Sequence, residues 1–317
     1  MAVLLRPIYY IQDKPLSIQE PKMIQLLLKG ELKWNEIVRG KMIGDTQFPS
    51  IIDYIDSSES NDALIALYPE QLKNKNRYSH IEMEHSLLLG LMGNQVIFPE
   101  HNPPARNLFS CGQTKQAVSL YHSNFTNRFD KMSVVLNYGQ NPIIKSKYSK
   151  YINNDEHPHG ENTIVAIMSL NGYNVEDAIL VNEGSIRRGL FRTTYYTTYE
   201  TTEESSDVLG STQQTVIQNV NENLSVRLKP GYDYNDLDSF GLVKENVPVD
   251  DRKIMIGKLS SSSDNASVLF DSSVKTKKGQ LGFVDKTFLS DNEEGFRVAK
   301  VRIREERIPN IGDKMAS

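Results

Sequence analysis

Ser169-Leu-Asn-Gly-Tyr-Asn-Val-Glu-Asp-Ala-Ile-Leu-Val-Asn182, continuing as Glu183-Gly-Ser-Ile-Arg-Arg-Gly-Leu-Phe191, is the stretch around which the rest of the chain is organised. The apolar, β-branched run Ile164 to Met168 before it reads as a buried strand. Asn171-Gly172 marks a turn, and Ala178 to Val181 reads as a second strand. Asn182 then caps a short helix that Gly189 ends. Two strands thus present Glu176 and Asp177 near their junction, with Arg187 and Arg188 a helical turn or two away. On an extended segment neighbouring side chains point to opposite faces. One acid would face a site directly, and the other would act through water or by orienting its neighbour. The residues alone leave two readings open, a solvated turn or a metal or acid–base site.

Composition narrows the class. At 317 residues with 38% hydrophobic content, the chain has room for two or three ordered domains. A net charge of −4 gives no global basic signature, so any nucleic-acid surface must be locally gathered. The single cysteine, Cys111, excludes a disulfide framework and a cysteine zinc cluster and suits a reducing compartment. No apolar run approaches the roughly 20 residues of a membrane span, and the first residues lack a signal-peptide pattern. Phosphate-binding GxxxxGK[ST] and GxGxxG motifs are absent. The sequons at Asn124, Asn223 and Asn265 are what chance gives in an Asn- and Ser-rich chain.

Taken in order, residues 1–78 alternate short strands and helices. Leu4 to Ile11 reads as a strand, Ile18 to Lys29 as a helix. Phe48 to Ile55 and Ala63 to Leu67 read as strands joined by a polar loop from Asp56 to Asp62. Gln71 to Asn76 reads as a linker, and Ser86 to Met92 as an apolar helix closed by Gly93. Three prolines between Val96 and Asn107 predict a stiffened loop, and Gln113 to Met132 a helix. Lys145 to Asn154 reads as a solvated Lys/Tyr loop, and the His157-Pro-His159 pair as merely exposed rather than metal-bound. Arg192 to Glu200 alternates threonine and tyrosine as a strand does. From 201 to 295, Ser, Asn and Asp dominate, with strands at Val226–Leu228, Ile254–Ile256 and Leu281–Val284. Ser260 to Ser273 reads as flexible, and Asp250-Asp251 and Glu293-Glu294 as solvated pairs. Phe296 to Arg304 reads as a strand with Val301 and Ile303 on one face and Arg302 and Arg304 on the other. Gly295 to Ser317 carries six basic and three acidic residues, a local positive balance.

Three blocks carry a resemblance. Asn-Gly-Tyr-Asn-x-Glu-Asp-Ala with Asn-x-x-Ser-Ile-x-Arg-Gly-Leu-Phe, then Phe98-Pro-x-His-Asn-x-x-x-Arg-Asn with Lys115-Gln-Ala, and finally Ile308-Pro-x-Ile-Gly-Asp-Lys-Met-Ala-Ser317 resemble the second-largest (β-like) subunit of multisubunit DNA-directed RNA polymerases. The resemblance covers nearly the whole chain, which corresponds to a middle slice of that subunit; the Asn/Ile/Lys/Ser-rich composition also suits an AT-rich viral genome. It implies an α+β, β-rich, multi-domain fold holding part of a split double-psi β-barrel. The implied domains are an external-type region (1–78), the first part of a hybrid-binding domain (79–195), a flap or wall insertion (196–295), and the hybrid-binding domain resuming (296–317). Tyr54-Ile-Asp56 with Ala63 to Ala66 is similar to the external region, and Gly241-Leu242, Val247 to Asp251 and Ile256-Gly-Lys258 to the flap.

By the same resemblance, Asp177 assisted by Glu176 helps hold a nucleotide-bound Mg2+, shared with the largest (β′-like) subunit, which supplies the other metal aspartates; no zinc site is implied. Lys314 and Arg307 contact the RNA 3′ end and incoming phosphates, Arg307 standing where the family often has lysine. Arg106 reaches phosphate, and Asn107, Lys115 and Gln116 line the nucleotide and hybrid cavity. Arg302 and Arg304 add candidate nucleic-acid contacts. Implied partners are the largest subunit, template DNA, transcript RNA, nucleoside triphosphates, and initiation factors on residues 196–295, in a nuclear or cytoplasmic compartment, viral factories included. One departure is His80-Ile-Glu-Met-Glu-His-Ser86, where the family shows His-x-Glu-x-His-Pro-Ser; either the segment is structural or any role of the second histidine is lost here. The rival readings are a transcription-factor docking module whose acid pair is structural, and an independent metal enzyme, which the incomplete metal constellation disfavours.

Overall fold

Short runs of alternating or β-branched residues, punctuated by glycine and asparagine, build a structure of small antiparallel sheets. The computed structural model describes residues 6–10, 29, 30, 33, 35, 41–43, 46–48, 52–68, 70, 71, 78–208, 211–223, 225–261 and 268–315. The chain folds as two units, Met1–Cys111 and Gly112–Ser317.

In the first unit β1 (Arg6–Tyr10) is followed by the hairpin β2 (Lys41–Ile43) and β3 (Thr46–Phe48), then by β4 (Ile52–Ile55), β5 (Ile65–Ala66) and β6 (His80–Ile81). The larger sheet runs β4-β1-β6-β5 and is antiparallel except between β5 and β6. Pro7 is tolerated because β6 pairs only with Tyr9 and Tyr10, beyond it. The loop expected from Asp56 to Asp62 is instead a helix, Ser57–Asp62. A capping box explains it: Asp56 Oδ1 accepts from the Glu59 amide at 2.7 Å, and Glu59 Oε2 from the Asp56 amide at 3.2 Å. The helix expected at Ile18 to Lys29 and the linker at Gln71 to Asn76 lie, apart from an end residue each, outside the described residues. Ser86 to Met92 forms a 3-10 turn, His85–Leu89, and a single α-turn, Gly90–Gly93, rather than one helix.

The proline-rich stretch is corrected too. Pro103 and Pro104 open a regular helix, Pro104–Thr114, because proline's missing amide costs nothing in a first turn. That helix displaces the one expected from Gln113 to Met132. The chain beyond Thr114 is irregular, and an Arg128–Asp130 fork holds it, with Tyr121 Oη donating to the same carboxylate at 2.6 Å.

The second unit is built on β7 (Met132–Leu136), β8 (Thr193–Thr202), β9 (Ser205–Val208), β10 (Ser211–Ile217), β11 (Pro248–Val249), β12 (Ile254–Ile256), β13 (Lys258–Ser261), β14 (Leu269–Asp271), β15 (Val274–Lys275), β16 (Gly282–Asp291) and β17 (Arg297–Arg307). A five-stranded sheet runs β11-β16-β17-β8-β7, a four-stranded one β14-β13-β10-β9. Strands expected at 192–200, 254–256 and 281–284 are present as β8, β12 and the start of β16. Val226–Leu228 is no strand, though Val226 is buried. The stretch read as flexible, Ser260 to Ser273, is a hairpin at its described ends, with Ser261 opposite Leu269. Asp250-Asp251 and Glu293-Glu294 are exposed.

One core serves this unit: Ala299, Val301 and Ile303 of β17, Val284 of β16, Tyr199 of β8, Ile254 to Ile256 of β12, and Leu242, Val243 and Leu259. Gly282 is required where β16 meets β17, since its φ is +119° and a Cβ there would sit 2.2 Å from the Arg304 carbonyl oxygen.

The opposite face of β17 carries Arg302 and Arg304, and it corrects the expectation that Arg302 is available to nucleic acid. Arg302 is only 4% exposed. Its Nε donates to Asp285 Oδ2 at 2.7 Å, its Nη2 to the Thr126 carbonyl at 2.7 Å, and its Nη1 to the carbonyls of Phe125 and Arg128. The guanidinium lies 5.0 Å from the Tyr196 ring centroid and 5.5 Å from that of Phe129. Asp285 is the extra residue of a β-bulge between Val284 and Lys286, which re-aims its carboxylate at Arg302 and Arg304. Arg302→Ala leaves those carbonyls and Asp285 facing a void. It is predicted to lower the unfolding free energy by about 3 kcal/mol or more, read by urea denaturation, with Arg302→Lys recovering only part.

Lys253 is likewise buried, its Nζ held by Asp233 at 2.6 Å and Asp236 at 2.5 Å. The Lys253 hydrogen bond holds the Asp233 carboxyl below its usual range. A depressed carboxylate contributes stability above its unfolded pKa, near 4, that is lost as pH falls through its folded value. Lys253→Met is therefore predicted to flatten the acid limb of the urea midpoint below about pH 4. An unchanged slope would remove Asp233 from that limb.

Candidate functional site

Two successive tight turns carry the acid pair, and turn chemistry sets their shape. Asn171 and Gly172, at φ 49° and 76°, form the first reversal, closed by the Tyr173 amide on the Leu170 carbonyl at 3.0 Å. Asn174 fixes it, its Oδ1 accepting from the Leu170 amide and its Nδ2 donating to the Met168 carbonyl at 2.6 Å. A second reversal follows at once, the Ala178 amide reaching the Val175 carbonyl at 3.2 Å. Glu176 and Asp177 are its two corner residues.

This corrects the strand–acid–strand expectation. Neither Ile164–Met168 nor Ala178–Val181 forms a ladder, and Ile164 and Ile167 are fully exposed, Ile179 66%. An apolar run makes a buried strand only where a neighbouring strand covers it, and none does among the described residues. The argument from alternating faces fails with it: at a turn's corners both acids project outward, and both are exposed. Glu176 sits at φ 57°, a left-handed conformation costing of order 1 kcal/mol for a residue with a Cβ. Among the described residues, neither acid's side chain has a hydrogen bond or ion pair.

The loop bearing this turn is anchored at its base. Asn162 Nδ2 donates to the Asn141 carbonyl at 2.8 Å, and the Gln140 amide to the Gly160 carbonyl at 2.8 Å. Glu161 Oε1 accepts from the Phe191 amide at 3.0 Å, tying entry to exit. Burial pushes the Glu161 carboxyl above its usual range. The cap expected at Asn182 is present, its Oδ1 accepting from the Ser185 amide at 2.9 Å. Gly189, at φ 110°, follows the helix and packs where a Cβ would strike Tyr138 at 2.6 Å. Arg187 pairs with Glu183 one turn earlier at 2.6 Å, and Arg188 donates to Ser185 Oγ.

The basic residues divide by environment. Lys314 is exposed without a side-chain partner among the described residues. Arg307, at the end of β17, is exposed, stacks on Tyr195 at 5.9 Å and pairs with Asp313 at 2.8 Å. Arg304 is half-buried between Asp285, Asn246 and the Phe283 ring. Arg302 belongs to the interior, as described above. Arg106 is exposed near the start of the Pro104–Thr114 helix, over Phe109 at 5.9 Å. Asn107 donates to the Pro99 carbonyl at 2.8 Å. Lys115 and Gln116 follow the helix, both exposed.

Two partners went unread in the sequence. Asp285 carries no motif, and a bulge gives no local signal. Asp313 stood inside the quoted Gly-Asp-Lys, where the lysine drew the reading. Among the described residues no group of three or more His, Cys, Asp or Glu could hold a metal, and no helix is long and apolar enough to cross a membrane. His159 and His157 are half-buried rather than exposed, and burial lowers the His159 pKa. A cavity of about 720 Å³ lined by Leu136, Asn137, Tyr138, Asp155, Glu156 and Tyr196 includes none of the expected site residues.

Comparison with known proteins gives the family of the chain. The chain is 33% identical to the DNA-directed RNA polymerase II subunit RPB2 of Encephalitozoon cuniculi, over 98% of this chain and 27% of the relative. It is 32% identical to the DNA-directed RNA polymerase subunit Rpo2 of Saccharolobus shibatae, with the same coverages. It is 28% identical to the DNA-directed RNA polymerase subunit 2 of Acanthamoeba polyphaga mimivirus, over 99% of this chain and 28% of that one. The chain thus spans about a quarter of the length of these curated relatives. Residues 92–317 match the family described as RNA polymerase Rpb2, domain 6, and on that match the chain belongs to this family of RNA polymerase second subunits.

Proposed function

We propose that the chain contributes carboxylate and phosphate contacts for template-directed RNA synthesis, acting only within an assembled DNA-directed RNA polymerase. The observation that carries this is the acid turn: two adjacent carboxylates at the corners of one reversal, exposed and without a side-chain partner among the described residues, on a loop tied down at its base. A structural acid pair would be expected to accept hydrogen bonds from its own fold, as Asp56 and Asp238 do. The donor set fits magnesium as a partial site, since Mg2+ commonly takes one or two carboxylates and completes its shell with water and substrate phosphate oxygens. When bound, the metal stabilises the attacking and leaving oxygens of an in-line displacement.

The chain's own residues do the rest. Asp177 supplies a carboxylate oxygen, and Glu176 orients it or acts through water. The Lys314 ammonium and the Arg307 guanidinium neutralise charge developing on the phosphates. Arg106 reaches phosphate, while Asn107, Lys115 and Gln116 line the path of nucleotide and hybrid. Arg302 and Arg304 support this surface by holding β16 against β17; the donors of Arg302 are engaged within the fold, while Arg304 bonds Asp285 and Asn246 and, half-exposed, keeps donors for nucleic acid. The largest subunit supplies the remaining metal ligands, and template, transcript and nucleoside triphosphates occupy the cleft. We retain the division into external region (1–78), hybrid-binding domain (79–195 and 296–317, part of a split double-psi barrel) and flap or wall (196–295), the last the face for initiation factors.

Asp177→Ala, introduced into the complete assembled enzyme, is predicted to cut the elongation rate about 100-fold or more while leaving assembly and thermal stability unchanged. Glu176→Gln costs less. Normal elongation by Asp177→Ala would end the reading.

A further inference from the structure

Arg307 and Lys314 flank a six-residue reversal, and one side chain closes it. Asp313 Oδ1 accepts from Arg307 Nη2 at 2.8 Å. Its other oxygen, Oδ2, accepts from the Asn310 amide at 2.9 Å. The Asp313 amide in turn donates to the Asn310 carbonyl at 3.1 Å. Asn310 adds a local contact, its Oδ1 accepting from the Ile311 amide at 2.8 Å. Arg307 is the last residue of β17 and is paired with Thr193 of β8, so its backbone is set by the sheet. Residues 308–314 lie beyond any ladder. Their one described link back to the sheet through a side chain is Asp313.

An acid beside two cations meant for phosphate needs a reason, because its charge opposes the ligand's. The geometry supplies one. Asp313 takes one N–H of the guanidinium fork, and the Arg307 side chain is still 55% exposed, so the other donors stay available to a ligand. It removes rotamer freedom from a long side chain that solvent would otherwise leave mobile. The carboxyl is held below its usual range by the Asn310 amide and then by Arg307, so it stays ionised at neutral pH.

We propose that Asp313 is a positioning residue: by holding Arg307 and the Asn310 amide together, it presents Arg307 and Lys314 as one rigid phosphate clamp. The proposal rests on the assignment of Arg307 and Lys314 to phosphate contact made above. It adds that the spacing of the two cations is set by an acid rather than by strand pairing.

The test is a double-mutant cycle in the complete assembled polymerase, with Asp313→Asn, Arg307→Ala and the two combined. Asp313→Asn retains an oxygen for the Asn310 amide and loses the ion pair. It is expected to raise KM for nucleoside triphosphate about two- to fivefold, the size of an exposed charge pair, with kcat near the parent value. Asp313→Glu restores most of it, and Asp313→Asn adds nothing on an Arg307→Ala background. If the clamp grips transcript instead of nucleotide, KM stays put and the salt needed to release RNA from a stalled complex falls; either readout supports the clamp. Effects of the two substitutions that simply add, or a fall in kcat with both KM and salt release unmoved, overturn it. Normal elongation and RNA retention by Arg307→Ala would instead remove the underlying phosphate assignment. Asp313→Ser, which also keeps an acceptor for the amide, replaces Asp313→Asn should that variant fail to assemble.

Discussion

The second unit depends on a cation taken out of water and given everything it lost. Arg302 leaves solvent almost completely, and its donors are met by Asp285 and the carbonyls of Phe125, Thr126 and Arg128. Desolvating a charge pair offsets most of its attraction, so the arrangement is worth more as a specification of geometry than as net stability. It decides which loop lies on the outer face of β17. The carbonyls it gathers belong to a short 3-10 turn, Phe125–Asn127, and to Arg128 at its end, a segment that pairs with no strand and whose carbonyls look to a side chain for donors. The same cation lies near Tyr196 and Phe129, so one residue joins β8, β16, β17 and the 125–129 loop.

From that fixed sheet the functional elements are hung as loops. β8 begins just after Phe191, whose amide closes the acid loop through Glu161. β17 ends at Arg307, where the Lys314 reversal begins. The two therefore leave the same pair of neighbouring strands, since Thr193 and Arg307 are partners in the ladder. This is the usual division of labour between a rigid scaffold and the loops that carry chemistry. The strained backbone at Glu176 fits it, because a left-handed glutamate persists only where its surroundings hold the turn.

Burial obliges a charge in this chain to find a partner, and exposure does not. Lys253 and Arg302 are buried and paired, and Glu203, also buried, accepts from the Ile217 amide at 2.7 Å and pairs with Arg297. Glu176, Asp177 and Lys314 are exposed and unpaired among the described residues. Burial without a partner is too costly to persist, whereas an exposed charge can remain available for a ligand. A net charge of −4 hides this sorting entirely.

What the sequence determined by itself was whatever short-range chemistry enforces. The Asn171-Gly172 turn, the Asn182 cap, the Thr/Tyr alternation of β8 and the apolar face of β17 were all legible, since each follows from a residue and its near neighbours. So were the three motif blocks that mark the family. Only the tertiary structure decided the rest. Ile164–Met168 has a strand's composition but no pairing strand among the described residues, and Arg302 has a surface residue's chemistry in an interior position. The acids occupy a turn rather than a strand junction because no strand among the described residues covers the apolar runs on either side of them. Asp285 and Asp313 became visible only when a bulge and a reversal brought them against arginines distant in sequence or turned away by it. Pairing partners and burial are properties of the folded neighbourhood, and no local pattern encodes them.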